Sequence, residues 1–175
     1  MTIKKDQILN QALELFSQQG FHAVSTNKIA KAAEVSEGLI FRHFKNKEGL
    51  LNAIISYGHE KAMQLFSQVN KLEPPEDQLK YLLSIPFQIP VSEYPFWRLL
   101  YSLKWQRETY DDKLSAPLKE LLTTILTELN YQNPEAEAEI IMILVDGAAS
   151  SILLKGQTNG DQILKSILEK YNLNK

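Results

Sequence analysis

A chain of 175 residues, 44% apolar and 23% charged, can build one generous domain or a small module joined to a larger one, and its balance excludes disorder and a fibrous habit. It contains no cysteine, which rules out a disulfide framework, thiolate metal sites and a thiol nucleophile. The net charge of -2 is unevenly spread: residues 1–50 hold seven Lys/Arg against five Asp/Glu and residues 51–175 twelve against sixteen, the sign expected if the first third meets phosphates and the rest does not.

The opening run MTIKKDQILNQALELF sets charges within the apolar pattern and offers no small-residue cleavage site, so it does not read as a signal peptide. No stretch reaches the roughly 18 uninterrupted apolar residues of a membrane helix. The expectation is a cytoplasmic protein without a membrane partner.

All seven prolines lie beyond residue 73 and no segment alternates as a half-buried strand would, which predicts an all-α chain. Ile8, Ala12, Leu15 and Phe16 share one face of a first helix that Gly20 can end by taking a positive φ. Thr26 is read as the cap of a helix of barely two turns, NKIAKAA, and Ser36 as the cap of a second, EGLIFRHF. Asn46 caps a long amphipathic helix from Lys47, with Leu50, Leu51, Ile54, Ile55, Met63 and Phe66 on its apolar side. Beyond Pro74 and Pro75 come EDQLKYLLSI, SEYPFWRLLYSLKWQRE, a helix starting at Ser115, PEAEAEIIMILVDGAASSILLKG and DQILKSILEKYNL. About nine helices result: a three-helix amino-terminal domain over residues 1–48, joined by the long helix to a larger bundle within 49–175.

Helices this short are marginal in water, so the pair around AEVS must be held by packing. Ile29, Ala30, Ala33, Val35, Ile40 and Phe44 provide an inward set, which leaves Glu37, Gly38, Phe41 and Arg42 on the outside with Leu39 and His43 at the flank. Such a pair describes a helix-turn-helix, whose second helix enters the DNA major groove. Gly38 would let a base pair or sugar approach the backbone, Arg42 can reach guanine or a phosphate, and Asn27 an adenine edge or a phosphate. Lys28, Lys45 and Lys47 suit phosphates, and Ser36 stands at the head of the recognition helix. A carboxylate at Glu37 repels phosphate unless it accepts from a cytosine amino group.

From Thr26 through Leu50 the run T-x-x-I-A-x-x-A-x-V-S-x-G-x-x-F-x-H-F-x-x-K-x-x-L resembles, without a gap, the amino-terminal domain of TetR-type (tetracycline-repressor-like) transcriptional regulators. The resemblance covers about residues 7–55, with only looser echoes such as VDG at 145–147 further on. It implies a homodimer that binds a palindromic double-stranded DNA operator, most simply as a repressor, and a helical carboxy-terminal part that binds an unknown small-molecule effector. By resemblance Thr26, Phe41, His43 and Lys47 fall on phosphate-contacting positions and Asn27, Glu37, Gly38, Leu39 and Arg42 on base-facing ones. Two departures are visible. Glu34 stands where the family often has glycine in the turn, and Phe41 where tyrosine is usual. A fold that keeps these helices but has lost operator binding, a protein-interaction module, is the alternative.

Trp97, Tyr101 and Trp105 recur every fourth residue, with Phe87 and Tyr110 nearby. Such a stripe is either core or the lining of an apolar ligand cavity, to which Met142 and Asp146 are added as candidate lining. Asp146 suits an interface, a ligand or a solvated edge equally. Gly147, Ser150, Ser151, Leu154, Ile163 and Ile167 mark two helices able to form a two-fold four-helix dimer interface, with an intramolecular core as the alternative. There is no phosphate-cradling glycine loop, nucleophile elbow or metal-ligand cluster, so neither an enzyme nor a cofactor or metal is expected.

Overall fold

A computed structural model describes residues 3–104, 115–156 and 159–174. Among them the regular structure is helical throughout: α1 (Ile3–Gln19), α2 (Thr26–Ala32), α3 (Glu37–Phe44), α4 (Lys47–Val69), α5 (Pro75–Ser84), α6 (Tyr94–Lys104), α7 (Ser115–Glu128), α8 (Pro134–Lys155) and α9 (Gly160–Lys170), with two short 3₁₀ turns between α5 and α6. The expected all-α chain of about nine helices is what is found among the described residues. Trp105 and Tyr110 lie outside the described residues.

The chain forms two compact units, one from residues 3–60 and 92–104 and the other from the remaining described residues. In the first, Ile8, Ala12 and Phe16 of α1, Ile29 and Ala30 of α2, Ile40 and Phe44 of α3, and Leu50 and Ile54 of α4 share one core. Their spacing of three and four lays each set along one helical face. Gly20 ends α1 as expected: at φ +80° it turns the chain, and its amide donates to the Phe16 carbonyl at 2.9 Å. α6 adds Phe96, Leu99 and Leu103 to this core and packs along α1.

The second unit is built around Val69, Leu79, Leu82, Leu83, Leu122, Ile125, Leu126, Ala138 and Ile141. Its chain end is fastened rather than frayed. Tyr171 and Leu173 are buried in the core, and the Tyr171 hydroxyl donates to Glu137 Oε1 at 2.8 Å. One expected apolar contact fails. Met63, expected on the buried face of the long helix, is 47% exposed: α4 reaches the first core through Leu50 and Ile54, with Leu51 and Ile55 packed beside them, and the second through Val69 and Phe66, and Met63 belongs to neither set.

Candidate nucleic-acid interface

The reading head is α2, a tight turn and α3. The cap of α2 is Ser25, not Thr26: Ser25 is extended at φ -95°, ψ 156°, and its hydroxyl accepts the Lys28 amide at 3.2 Å. Thr26 is already the first helical residue, and its hydroxyl donates to Glu37 Oε1 at 2.6 Å. The signal for Ser25 was a serine three residues ahead of Lys28, a spacing that Thr26 shares with Ile29. Ser36 does hold the cap position of α3, extended at φ -74°, ψ 146°, but its side chain makes no cap bond.

The turn closes as a helix C-terminus of the Schellman type. The Val35 amide donates to the Ala30 carbonyl at 3.0 Å and Glu34 takes φ +52°. A non-glycine residue held left-handed costs on the order of 1 kcal/mol, so the departure at Glu34 is a real strain. The reward is packing: Ala30, Ala33, Ile40 and Phe44 are all buried in the core, with Val35 partly buried against it.

On α3 the division between inside and outside follows the expected stripe. Ile40 is 0% exposed and Phe44 is buried, while Gly38, Phe41, Arg42 and His43 are exposed and Glu37 and Leu39 half-buried. A Cβ added at Gly38 would meet no heavy atom within 4 Å among the described residues, so no contact with them requires glycine there. Asn27 and Lys28 are exposed at the start of α2. Asn27 Nδ2 approaches Glu37 Oε2 at 3.5 Å, and the Lys28 ammonium donates to Gln19 Oε1. Glu37 is thus the hinge pin between the first turns of the two helices, a connection that spacing along the chain could not disclose.

The exit from α3 is equally constrained. Lys45 sits at φ +69°, ψ -48°, and the Asn46 amide donates to the Phe44 carbonyl at 2.9 Å. That is a γ-turn of the rare, strained hand. Asn46 then caps α4 as expected, its Oδ1 accepting the Gly49 amide at 2.7 Å. Gly49 lies so close to the recognition helix that a Cβ would stand 1.9 Å from the Phe44 carbonyl oxygen. Only a residue without a side chain fits that approach.

Lys47 is half-buried. Its ammonium donates to the Phe21 carbonyl at 3.0 Å and lies 4.3 Å from the centre of the Phe21 ring, which stands edge-on to Phe16. The lysine therefore ties the loop after α1 to the start of α4, using one of its three donors.

The candidate ligand residues divide between the units. Trp97 and Tyr101 are half-buried residues of α6, Trp97 packed against the first core; the Trp97 indole N–H donates to Glu93 Oε2 at 3.0 Å. Phe87, Met142 and Asp146 are half-buried residues of the second unit. The candidate dimer residues fall on an open apolar stripe. Ile140, Ile143, Gly147, Ser151 and Leu154 of α8 are all exposed, as is Ile163 of α9, while Ser150 and Ile167 are half-buried. Ile140 and Ile143 extend the expected set, and the signal that finds them is their spacing of three and four leading to Gly147.

Comparison with known proteins follows the same geometry. The family model for bacterial regulatory proteins of the tetR family matches residues 8–54, which begin in α1 and end in α4. The regulator UidR of Escherichia coli K12 is 41% identical over 64 residues, 37% of this chain and 33% of UidR, so the chain matches about a third of that relative's length. A transcriptional regulator from Aquifex aeolicus aligns over 97% of this chain and 98% of its own with a TM-score of 0.71 and 26% identity. AibR, solved with isovaleryl coenzyme A and operator DNA, aligns over 94% and 96% with a TM-score of 0.73 and 18% identity. With the matched head, the helical order and these relatives together, residues 8–54 form an amino-terminal domain of the tetR family of bacterial regulatory proteins, carried on a chain that shares the fold of solved regulators.

Proposed function

We propose that this chain is a DNA-binding transcriptional regulator, a repressor that grips a palindromic operator as a homodimer and responds to a small-molecule effector. The observation that carries the reading is the surface of α3: two of its apolar residues are sealed in the core, while Gly38, Phe41, Arg42 and His43 face outward on a helix too short to persist without that core. An exposed phenylalanine beside arginine and histidine is a poor solvent face and a good groove face. In this reading residues 1–48 read the DNA, with Thr26, Asn27, Lys28, Ser36, Glu37, Gly38, Leu39, Phe41, Arg42, His43 and Lys47 as the contact set. Residues 49–175 bind the effector and the second subunit.

The dimer is supported by the α8 stripe. Ile143 and Leu154 are 73% and 78% exposed in the single chain, and Gly147 between them has open space where a side chain would be. A helix that is apolar all round needs cover on that side as well, and a self-complementary pair of helices supplies it with two-fold symmetry. Two reading heads about 34 Å apart then meet successive major grooves.

The effector half rests on the aromatic and half-buried residues Phe87, Trp97, Tyr101, Met142 and Asp146, and on the ligand seen with AibR. In the first unit, the buried Tyr94 hydroxyl at the head of α6 has no hydrogen-bond partner among the described residues, the kind of group that a bound polar molecule satisfies. A ligand that prefers the non-binding arrangement about a hundredfold, near 2.7 kcal/mol, weakens the operator complex by as much.

The test is selection of genomic fragments by the purified full chain, followed by titration across salt. Affinity falls steeply as salt rises, and Arg42→Ala weakens binding by about five- to a hundredfold with the thermal midpoint unchanged. A chain that selects no fragment even at low salt, or an Arg42→Ala variant that binds as the parent does, would return the fold to the protein-interaction alternative.

A further inference from the structure

The carboxylate of Glu37 is already engaged before any DNA is present. Thr26 Oγ1 donates to one oxygen at 2.6 Å and Asn27 Nδ2 approaches the other at 3.5 Å. A hydroxyl has one proton to give, so in this arrangement Thr26 has none left for a phosphate. A carboxylate offers about four acceptor positions, and two partners leave two of them open.

We propose that Glu37 is the specificity-determining residue of the reading head: it selects a C·G base pair in each half-site by accepting from the cytosine N4 amino group, and Thr26 and Asn27 are positioning residues that aim it. The inference rests on the DNA-binding reading above. Glu37 is the first residue of α3, the end of a recognition helix whose side chains meet base edges. In the major groove a carboxylate finds donors only on cytosine N4 and adenine N6, and adenine sets its N7 acceptor beside that donor. Cytosine is the edge that offers a donor without an opposing lone pair on the same base. On any other pair the carboxylate loses its water and meets acceptors and phosphates of its own sign, with at best the adenine amino group beside its N7 in return. Discrimination therefore comes from a penalty at every wrong site as much as from a contact at the right one.

The rigidity of the aim supports this use. A free glutamate side chain surrenders rotamer freedom when it is fixed; Glu37 is held by two partners from α2 before binding.

The experiment is selection from a random duplex library with the full chain and with its Glu37→Gln, Glu37→Ala and Thr26→Ala variants, each checked for folding by circular dichroism and thermal unfolding. The parent enriches C·G at one position per half-site, and exchanging that pair for T·A weakens binding about five- to a hundredfold. Glu37→Gln moves the preference at that position alone to A·T, because an amide matches the adenine edge. Glu37→Ala accepts all four pairs there within about threefold and binds random-sequence duplex more tightly, having lost a repelling charge. Thr26→Ala keeps the C·G preference but narrows its margin. Should Glu37→Ala not fold, Glu37→Gln decides, since its carbonyl still accepts from Thr26. A parent consensus without C·G at a position that residue 37 controls, or a glutamine variant that weakens every position equally, overturns the proposal. A parent that enriches no duplex at all instead brings down the DNA-binding reading itself.

Discussion

Gly38 is an exposed glycine in a helix, and glycine costs up to about 1 kcal/mol relative to alanine there. Nothing among the described residues would touch an added methyl group, so the cost has no return from them. Gly38→Ala is expected to raise unfolding stability by as much as about 1 kcal/mol while weakening operator binding, a split readable by thermal unfolding beside DNA titration. If both improve, no base or sugar approaches that backbone. Glu34 and Gly49 tell the opposite story, since their backbones answer to the fold: one is held at φ +52° to close the turn, the other pressed against the Phe44 carbonyl.

At the scale of elements, Ser25 and Thr26 do different work from adjacent positions. Ser25→Ala removes the α2 cap and costs about 1 kcal/mol, independently of residue 37. Thr26→Ala removes the link to Glu37, so its effect on stability disappears in a Glu37→Ala background, and a double-mutant cycle by chemical denaturation separates the two. The end of α9 offers a second case. Burial, the hydrogen bond to Glu137 and that carboxylate's charge all push the Tyr171 hydroxyl well above the ordinary tyrosine range. A group whose folded pKa is raised lends stability that is whole below its unfolded value, about 10, and is lost as the pH climbs beyond it. Alkaline unfolding of the parent therefore steepens above about pH 10, and Tyr171→Phe flattens that slope while costing about 1 kcal/mol at neutral pH.

For the whole molecule, the exposed α8 stripe matters more than any single contact. Ile143→Glu or Leu154→Glu places a charge where the proposed partner's apolar face would lie, and burying an unpaired charge is costly enough to prevent association. Sedimentation is expected to give a dimer for the parent and a monomer for either variant, with operator affinity falling as the second reading head is lost. Both residues are more than two-thirds exposed in the single chain, so the fold itself tolerates the change. A parent that sediments as a monomer at working concentration would remove the stripe's assigned purpose.

The order and kind of the helices, the caps at Gly20 and Asn46 and the inward set of α2 and α3 were all legible in the chain, because each depends on neighbours within four or five residues or on one helical period; the turn at Glu34 was marked only by its departure from the family pattern. Three features were not legible. The Thr26 and Glu37 pair, the Phe21 grip on Lys47 and the return of α6 to the core of α1 join residues distant along the chain, and no local rule relates them. Met63 shows the same limit from the other side. Its periodic position promised burial, but a helical face is buried only where another element reaches it, and that is decided by how the folded chain comes together in three dimensions.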